Sequence, residues 1–531
     1  AFLFGMLHAV LLEIDELDIP FLKKGTNAPY LVRVDGHWLR DADGKPQVWD
    51  MASATPRPYD DPAVVDPALA GTFRVNDSTV EPALQLLREH IQPYTPEWAA
   101  AVSGVDAGVI RRLAREFVAH AHIGESVEIE GRSLPLRPVD IQLGKTVNNG
   151  FGAFQCVWAA HVLVTLVGAL DVPGGHLAFG PLLLDEIGEA GPDGFLPFPF
   201  NPTDEAHWQW PPDSRDMRTT IAPLAAGKQP VFAAGMGPGH LAWLTMTNPP
   251  LSIPRYDPPE IWFVHKSNPV ISSWDPERVK DVLSRIPFTV AFAYTYDETN
   301  WYADLLLPEN IDLEGLQLFP MGGVTFCYGM KWPVAGVHIR QPVVQPPYNT
   351  MDMTDIFSEL AQRLGIGSEY NTAINVMFGL QERYALQPDR LYRVEEIYDA
   401  LARNASGGQF DLSWFKEHGG FFRPMPKLTW YKRARMEDLG YRYELPYQER
   451  VLTVGQQLAD RLHERGIDWW ERQLDEYRGF PECEDVTPLW ASDPRYDHWL
   501  ISTRSMQFYC DGDADVPYMI EAAEDLLDHG G

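Results

Sequence analysis

The sequence predicts an α/β protein, and three observations predict it. Ile261-Trp262-Phe263-Val264-His265 is a short apolar run of strand type, with a polar turn, helix signals and further apolar runs at 288–293 and 303–307 behind it. Strand, loop, helix, strand is the βαβ unit, whose crossover makes the strands parallel. Elsewhere, apolar residues recur at the three- and four-residue spacing of amphipathic helices. At 531 residues the chain is long enough for two or three domains with cores of their own.

In chain order, Phe2 to Ile14 has helical apolar spacing and leads into Asp18-Ile19-Pro20-Phe21-Leu22. Thr95 can cap a helix with Pro96 at its first position, where a missing amide hydrogen costs nothing. Asp106 offers the next cap, for an amphipathic helix through Arg111, Leu113, Ala114 and Phe117. Ala153 to Leu170 is the most apolar stretch, but it contains Gln155, His161 and Thr165 and ends in the turn Asp171-Val172-Pro173-Gly174-Gly175. It reads as a buried helix rather than a membrane span. From Gly188 to Pro212 the chain is rich in Pro, Gly and Asp, the best sequence candidate for a domain boundary. Beyond it, Asp275 and Pro276 open the helix of the βαβ unit, and another helix is expected over about Asp355 to Leu364. The tail from Tyr370 reads as helical and charged, with an aromatic stretch around Trp469-Trp470 and Tyr477.

Composition narrows the function. A formal net charge of −31 repels a phosphate backbone, so no nucleic-acid partner is expected, and its plain meaning is solubility. Cys156, Cys327, Cys483 and Cys510 stand apart without CxxC spacing, so no zinc or iron–sulfur site is read from them and no metal ligand is assigned. One pair could bridge in an oxidising compartment. The chain opens at Ala1 without a Met and is read as processed, trimmed or fragmentary.

Ligands of parallel sheets bind outside the carboxyl ends of the strands. Lys266-Ser267-Asn268-Pro269 and Tyr296-Asp297-Glu298-Thr299 occupy those ends. The first suits a phosphate or sugar, with Lys for charge and Ser and Asn for hydrogen bonds; the plain alternative is an ordinary βα loop. Asp297, Glu298, Thr299 and Asp304 could bond a ribose or base edge, or form a solvated loop on an acidic protein. Gly144-Lys145-Thr146-Val147-Asn148-Asn149-Gly150, ahead of the apolar helix, allows close backbone approach to a ligand, although it lacks Walker order. Gly235-Met236-Gly237-Pro238-Gly239 misses the dinucleotide spacing and reads as a turn. His8, His161, His240 and His265 show no metal-ligand spacing and read as core or surface histidines.

The order of these stretches resembles the dimethyl sulfoxide reductase family of molybdopterin oxidoreductases. The likeness is carried by Phe21-Leu22 with Thr26 to Val32, by Tyr94-Thr95-Pro96-Glu97 with Ser103-Gly104-Val105, and by Leu166 to Gly175. It continues through Ser267-Asn268-Pro269, Glu298-Thr299, Ala303 to Pro308 and Glu314-Gly315, covering roughly residues 1 to 370. The family often has an Asp where this chain has Ala293-Tyr294, which leaves guanine recognition open.

The resemblance implies two doubly wound, Rossmann-like α/β domains, over 1–205 and 206–370, that bind pterin dinucleotides. Residues 371–531 would be a helical, aromatic-rich extension, with Asp497 to Arg504 leading toward a C-terminal β-rich domain. The implied cofactor is bis-molybdopterin guanine dinucleotide with Mo or W. Lys266, Ser267, Asn268 and Thr299 would approach the phosphates or guanosine of one dinucleotide; Gly144, Lys145 and Thr146 would lie nearer the pterin and metal, and Asp304 would position its loop. The family's cysteine cluster for a [4Fe-4S] centre and its side-chain ligand to the metal are not among these motifs. The implied function is a catalytic subunit performing two-electron oxidation or reduction with oxygen-atom or hydroxyl transfer on a small molecule. The implied partners are an iron–sulfur electron-transfer subunit, with a membrane-anchor subunit behind it. Glu449-Arg450 and Trp469-Trp470 further resemble phenylacetyl-CoA:acceptor oxidoreductases, suggesting an aromatic acyl-CoA substrate. A non-redox hydratase and a cofactor-free structural homologue in an electron-transfer complex are the competing expectations. Cytoplasm and periplasm both stay open.

Overall fold

The computed structural model describes residues 1–144, 153–177, 190–196, 260–265, 267–272, 276–293, 295–321, 334–424, 426–464, 477–483, 495, 498 and 517–528. Helices and strands are mixed throughout, as an α/β chain requires.

Seven helical segments build the N-terminal core. Phe2–His8 runs into a π-helical turn, Ala9–Ile14, and is joined by Ile19–Gly25, Ala83–Ile91, Pro96–Ser103, Ala107–His120 and Ala153–Leu166. The expected caps form: Thr95 accepts from the Trp98 amide at 3.1 Å, and Asp106 accepts from Gly108 at 2.8 Å. Ala153–Leu166 is apolar on nearly every side, and such a helix is stable only when surrounded. It is the buried helix expected, and among the described residues no helix is long and apolar enough to cross a membrane. Gly5 permits a close crossing of Phe2–His8 and Pro96–Ser103, because a Cβ there would sit 2.5 Å from that of Ala99.

The strands of this part are short and pair antiparallel: Leu31–Arg33 and Phe73–Val75 flank Ser78–Pro82, Gln47–Asp50 pairs with Thr55–Pro58, and Ser126–Ile129 with Arg132–Pro135. The last pair turns through Glu130 and Gly131, both at positive φ, the backbone a two-residue hairpin needs. A parallel pair needs a crossover of a dozen or more residues, which the hairpins at 47–58, 73–82 and 126–135 lack, and Leu31–Arg33 pairs antiparallel with the more distant Ser78–Pro82. Among the described residues the parallel sheet is therefore confined to 261–308, and the doubly wound layout expected across 1–205 is not seen there.

That sheet holds Ile261–His265, Phe288–Ala293 and Leu305–Pro308, with Phe288–Ala293 in the middle and both pairings parallel. Pro269–Ser272 and Pro276–Leu283 make the crossover; Asp275, the expected cap, lies outside the described residues. Phe357 on the helix Met353–Arg363 lies 6.0 Å from Phe263 and 5.4 Å from Phe292, ring centre to ring centre. Asp352 caps that helix, three residues ahead of the expected start.

The tail is not helical alone. Gly420–Pro424 pairs with Val334–Arg340, which pairs in turn with Gln317–Met321. Leu401, Leu412 and Phe415, from helices Val394–Ala405 and Leu412–His418, pack with Leu316 and Leu318 of this sheet region. Further on, residues 432–449 return to the N-terminal core. Trp158 donates to the Pro446 carbonyl at 3.1 Å, Tyr443 donates to Asp171 at 2.9 Å, and the Arg433 guanidinium lies 3.6 Å from the Phe21 ring centre.

One buried ion pair ties the core together. Arg137 and Asp18 are each 4% exposed and meet at 2.8 Å. The same guanidinium donates to the carbonyls of His122, Glu125, Leu136 and Val167. Removing one partner of such a pair strands the other charge in a dry site. Arg137→Met is therefore expected to lower the unfolding free energy by about 3–5 kcal/mol, read from urea denaturation. A change below about 1 kcal/mol would show the pair to be dispensable.

Candidate functional site

The two loops singled out in the sequence follow the carboxyl ends of the parallel strands. Parallel strands end with their last peptide groups unpaired at one edge, so the loops that follow decide what binds there. Beyond Ile261–His265 comes Ser267, exposed, and Asn268, half-buried. Beyond Phe288–Ala293 comes the loop carrying Asp297, Glu298, Thr299 and Asn300.

One network joins the two loops. The Thr299 hydroxyl donates to Asn268 Oδ1 at 2.7 Å and accepts from the Val270 amide at 3.0 Å. Asn268 Nδ2 donates to Glu298 Oε2 at 2.7 Å. Thr299 is 1% exposed with its hydroxyl fully engaged. Its part is to orient Asn268, and the outward groups are those of Ser267, Asn268 and Glu298.

The acidic group divides by role. Asp297 Oδ1 accepts from the amides of Thr299 and Asn300 at 2.8 and 2.7 Å, so it shapes its own loop. Asn300 completes that turn by donating to the Thr295 carbonyl at 2.8 Å. Asp304 accepts from the Thr289 amide at 2.7 Å and fastens the third strand to the start of the second.

Sequence reasoning missed Glu309. It directly follows the third strand, is 5% exposed, and places Oε2 2.8 Å from Nε2 of His265 at the end of the first strand. The contact spans the middle strand, where His265 also meets the Phe292 ring edge to face. Nothing local marks Glu309, since its partner lies a βαβ unit away.

Of the other expected residues, Lys145, Thr146 and Lys266 lie outside the described residues, as does the turn at 235–239. Gly144 is exposed and without regular structure, and nothing comes within 4 Å of where its Cβ would stand. Among the described residues no group of His, Cys, Asp and Glu is arranged to hold a metal ion, and Cys156 and Cys483 are free thiols.

No protein-family model matches the chain. It is 26% identical over 436 residues to a sulfite dehydrogenase subunit from Allochromatium vinosum, covering 77% of this chain and 42% of that protein. It is 24% identical over 327 residues to trimethylamine-N-oxide reductase of Vibrio parahaemolyticus, covering 61% and 34%. It is 21% identical over 333 residues to dimethyl sulfoxide/trimethylamine N-oxide reductase of Rhodobacter capsulatus, covering 61% and 33%. The chain thus spans less than half the length of these relatives. Together these similarities indicate the dimethyl sulfoxide reductase family of molybdopterin oxidoreductases, the family that the sequence motifs resemble.

Proposed function

We propose that this chain is the dinucleotide-binding portion of the catalytic subunit of a molybdenum or tungsten bis-pterin guanine dinucleotide oxidoreductase. The observation that carries the reading is the Asn268–Thr299–Glu298 network spanning two loops at the open strand ends. Its donor set fits a phosphate or ribose. Ser267 offers an exposed hydroxyl, Asn268 an oriented amide, Glu298 an acceptor for sugar hydroxyls, and Lys266 the positive charge. When bound, the metal–pterin group supplies two-electron chemistry with oxygen-atom or hydroxyl transfer. The chain's residues would bind and orient it: Ser267, Asn268 and Lys266 would hold one dinucleotide, with Thr299 fixing the Asn268 amide, and Gly144, Lys145 and Thr146 would serve the pterin.

The relatives' names point to sulfite, amine N-oxide and sulfoxide, small molecules that gain or lose one oxygen, as the substrate class to try first. An aromatic acyl-CoA has no counterpart among them. The Glu449-Arg450 pair that suggested it serves packing: Glu449 accepts from the Trp38 amide at 2.9 Å and pairs with Arg40, and Arg450 pairs with Glu444. Partners would be an iron–sulfur electron-transfer subunit with, through it, a membrane anchor; the sulfite dehydrogenase relative is named as one subunit of its enzyme, which fits a multi-subunit assembly. Redox turnover, not hydration, is the reading favoured by those three names.

Two variants separate holding from orienting. Ser267→Ala, at an exposed position, is expected to leave unfolding free energy within about 0.5 kcal/mol of wild type while lowering the GMP released per chain on acid hydrolysis. Thr299→Val is expected to cost about 1–3 kcal/mol, because the Val270 amide and Asn268 Oδ1 lose their buried partner, and to lower released GMP as well. Wild-type GMP content in both would remove this edge from the binding site.

A further inference from the structure

The loop that carries Glu298 and Thr299 also carries two large aromatic side chains that the fold leaves in water. Tyr296 is 67% exposed and Trp301 is 73% exposed. Their rings meet nearly edge to face, centres 6.0 Å apart and planes at 61°. Glu298, itself exposed, lies between them in the chain. A single exposed ring is ordinary on a protein surface, whereas two that touch each other beside a polar site form a patch.

The rings are not what holds this loop. The Asp297 amide donates to Asn300 Oδ1 at 3.0 Å, while Asp297 Oδ1 accepts from the amides of Thr299 and Asn300. Asn300 Nδ2 donates to the Thr295 carbonyl. The Trp301 amide donates to the Asp297 carbonyl at 3.1 Å, that of Tyr302 to Thr299 and that of Ala303 to Asn300, both at 3.0 Å. Thr299 and Asn300 are thus turned inward and satisfied, and Tyr296 and Trp301 are left outside on a backbone that is already fixed. Rings presented in this way lose little freedom when a flat molecule stacks on them.

The neighbouring groups decide what kind of molecule that is. At 61° the two rings leave no parallel slot between them, so a flat ligand lies on the open face of one ring while the other steadies it. Trp301 has the larger face and the greater exposure. The loop is tied through Thr299 to Asn268, next to the exposed Ser267 hydroxyl, groups that suit a phosphate or sugar. Asn268 engages Oε2 of Glu298, and the other carboxylate oxygen can accept from a ribose hydroxyl. A ligand that is flat at one end and rich in hydroxyl and phosphate oxygens at the other is a nucleotide. An anionic lipid surface is disfavoured by Asp297 and Glu298 on the same loop and by the net charge of −31.

We propose that Trp301, steadied by Tyr296, is the platform on which the guanine base of the bound dinucleotide stacks; this rests on the function proposed above. Glu298 and the Ser267–Asn268 loop then take the sugar and phosphate, and the base is held by its face. Stacking on an aromatic side chain strengthens binding about five- to 150-fold per base, which makes Trp301 a main determinant of affinity at this edge.

The test uses the full chain produced without pterin, titrated by calorimetry with GMP and with ribose 5-phosphate, which keeps the sugar and phosphate but lacks the base. Wild type is expected to bind GMP on the order of tenfold more tightly than ribose 5-phosphate. Trp301→Ala is expected to abolish that preference while leaving the affinity for ribose 5-phosphate and the urea midpoint unchanged, because the ring is exposed. Trp301→Phe, which keeps a ring, is expected to recover part of the preference. Should Trp301→Ala unfold, Trp301→Leu, with bulk but no aromatic face, is read in its place. Equal wild-type affinity for the two ligands overturns the platform alone. Full preference for GMP in Trp301→Ala also overturns it and assigns the exposed rings to a protein partner instead. Binding of neither ligand to folded wild-type chain overturns the platform together with the nucleotide-binding function beneath it.

Discussion

The hydrogen bond from Thr299 to Asn268 is the contact on which the strand-end site depends. Parallel strands position the loops beyond them but do not hold them, since ladder bonding stops at His265 and Ala293. Thr299 sits inside the fold and spends both functions of its hydroxyl, donating to the loop side chain and accepting from the start of the crossover helix. Two loops separated by a whole βαβ unit become one surface. Asp297 and Asp304 then act behind it, one closing the second loop and the other pinning two strands. Thr299, Asp297 and Asp304, behind this surface, are each satisfied by contacts within the protein.

The same economy runs through the N-terminal core. Asp18, Arg137 and Asp171 are polar groups taken almost wholly out of water; Asp18 and Arg137 pair with each other, and Asp171 accepts from the partly buried Tyr443 hydroxyl. Burial drives the Tyr443 hydroxyl far above its ordinary range, so it stays a neutral donor to Asp171. That contact fastens residues near 443 to the turn after the apolar helix, the turn that also carries His176. Chain far downstream thereby braces the turn that ends the apolar helix.

Much of this was legible in the sequence, and the reason is locality. Thr95 and Asp106 announced their helices because a cap and its amides lie within three residues. The strands at 261–265 and 288–293 announced themselves as continuous apolar runs, the pattern of parallel sheets, although only the second is largely buried. What stayed hidden depends on distant partners. Glu309 acquires meaning only opposite His265, and His176 only opposite Asp140, 36 residues away. The strand Gly420–Pro424 was hidden among helical neighbours because only its pairing with Val334–Arg340 makes it a strand. Thr299 was legible as a polar loop residue beyond the strand but not as the one that faces inward, since sequence carries no direction for a side chain in a loop.

The central claim is that this chain clasps a metal–pterin dinucleotide. It is tested most directly by elemental analysis of protein from its native host, paired with fluorescence of oxidised pterin. The account predicts about one molybdenum or tungsten per chain together with pterin in stoichiometric amount. Folded protein with neither metal nor pterin would contradict it and favour a structural member of the same family.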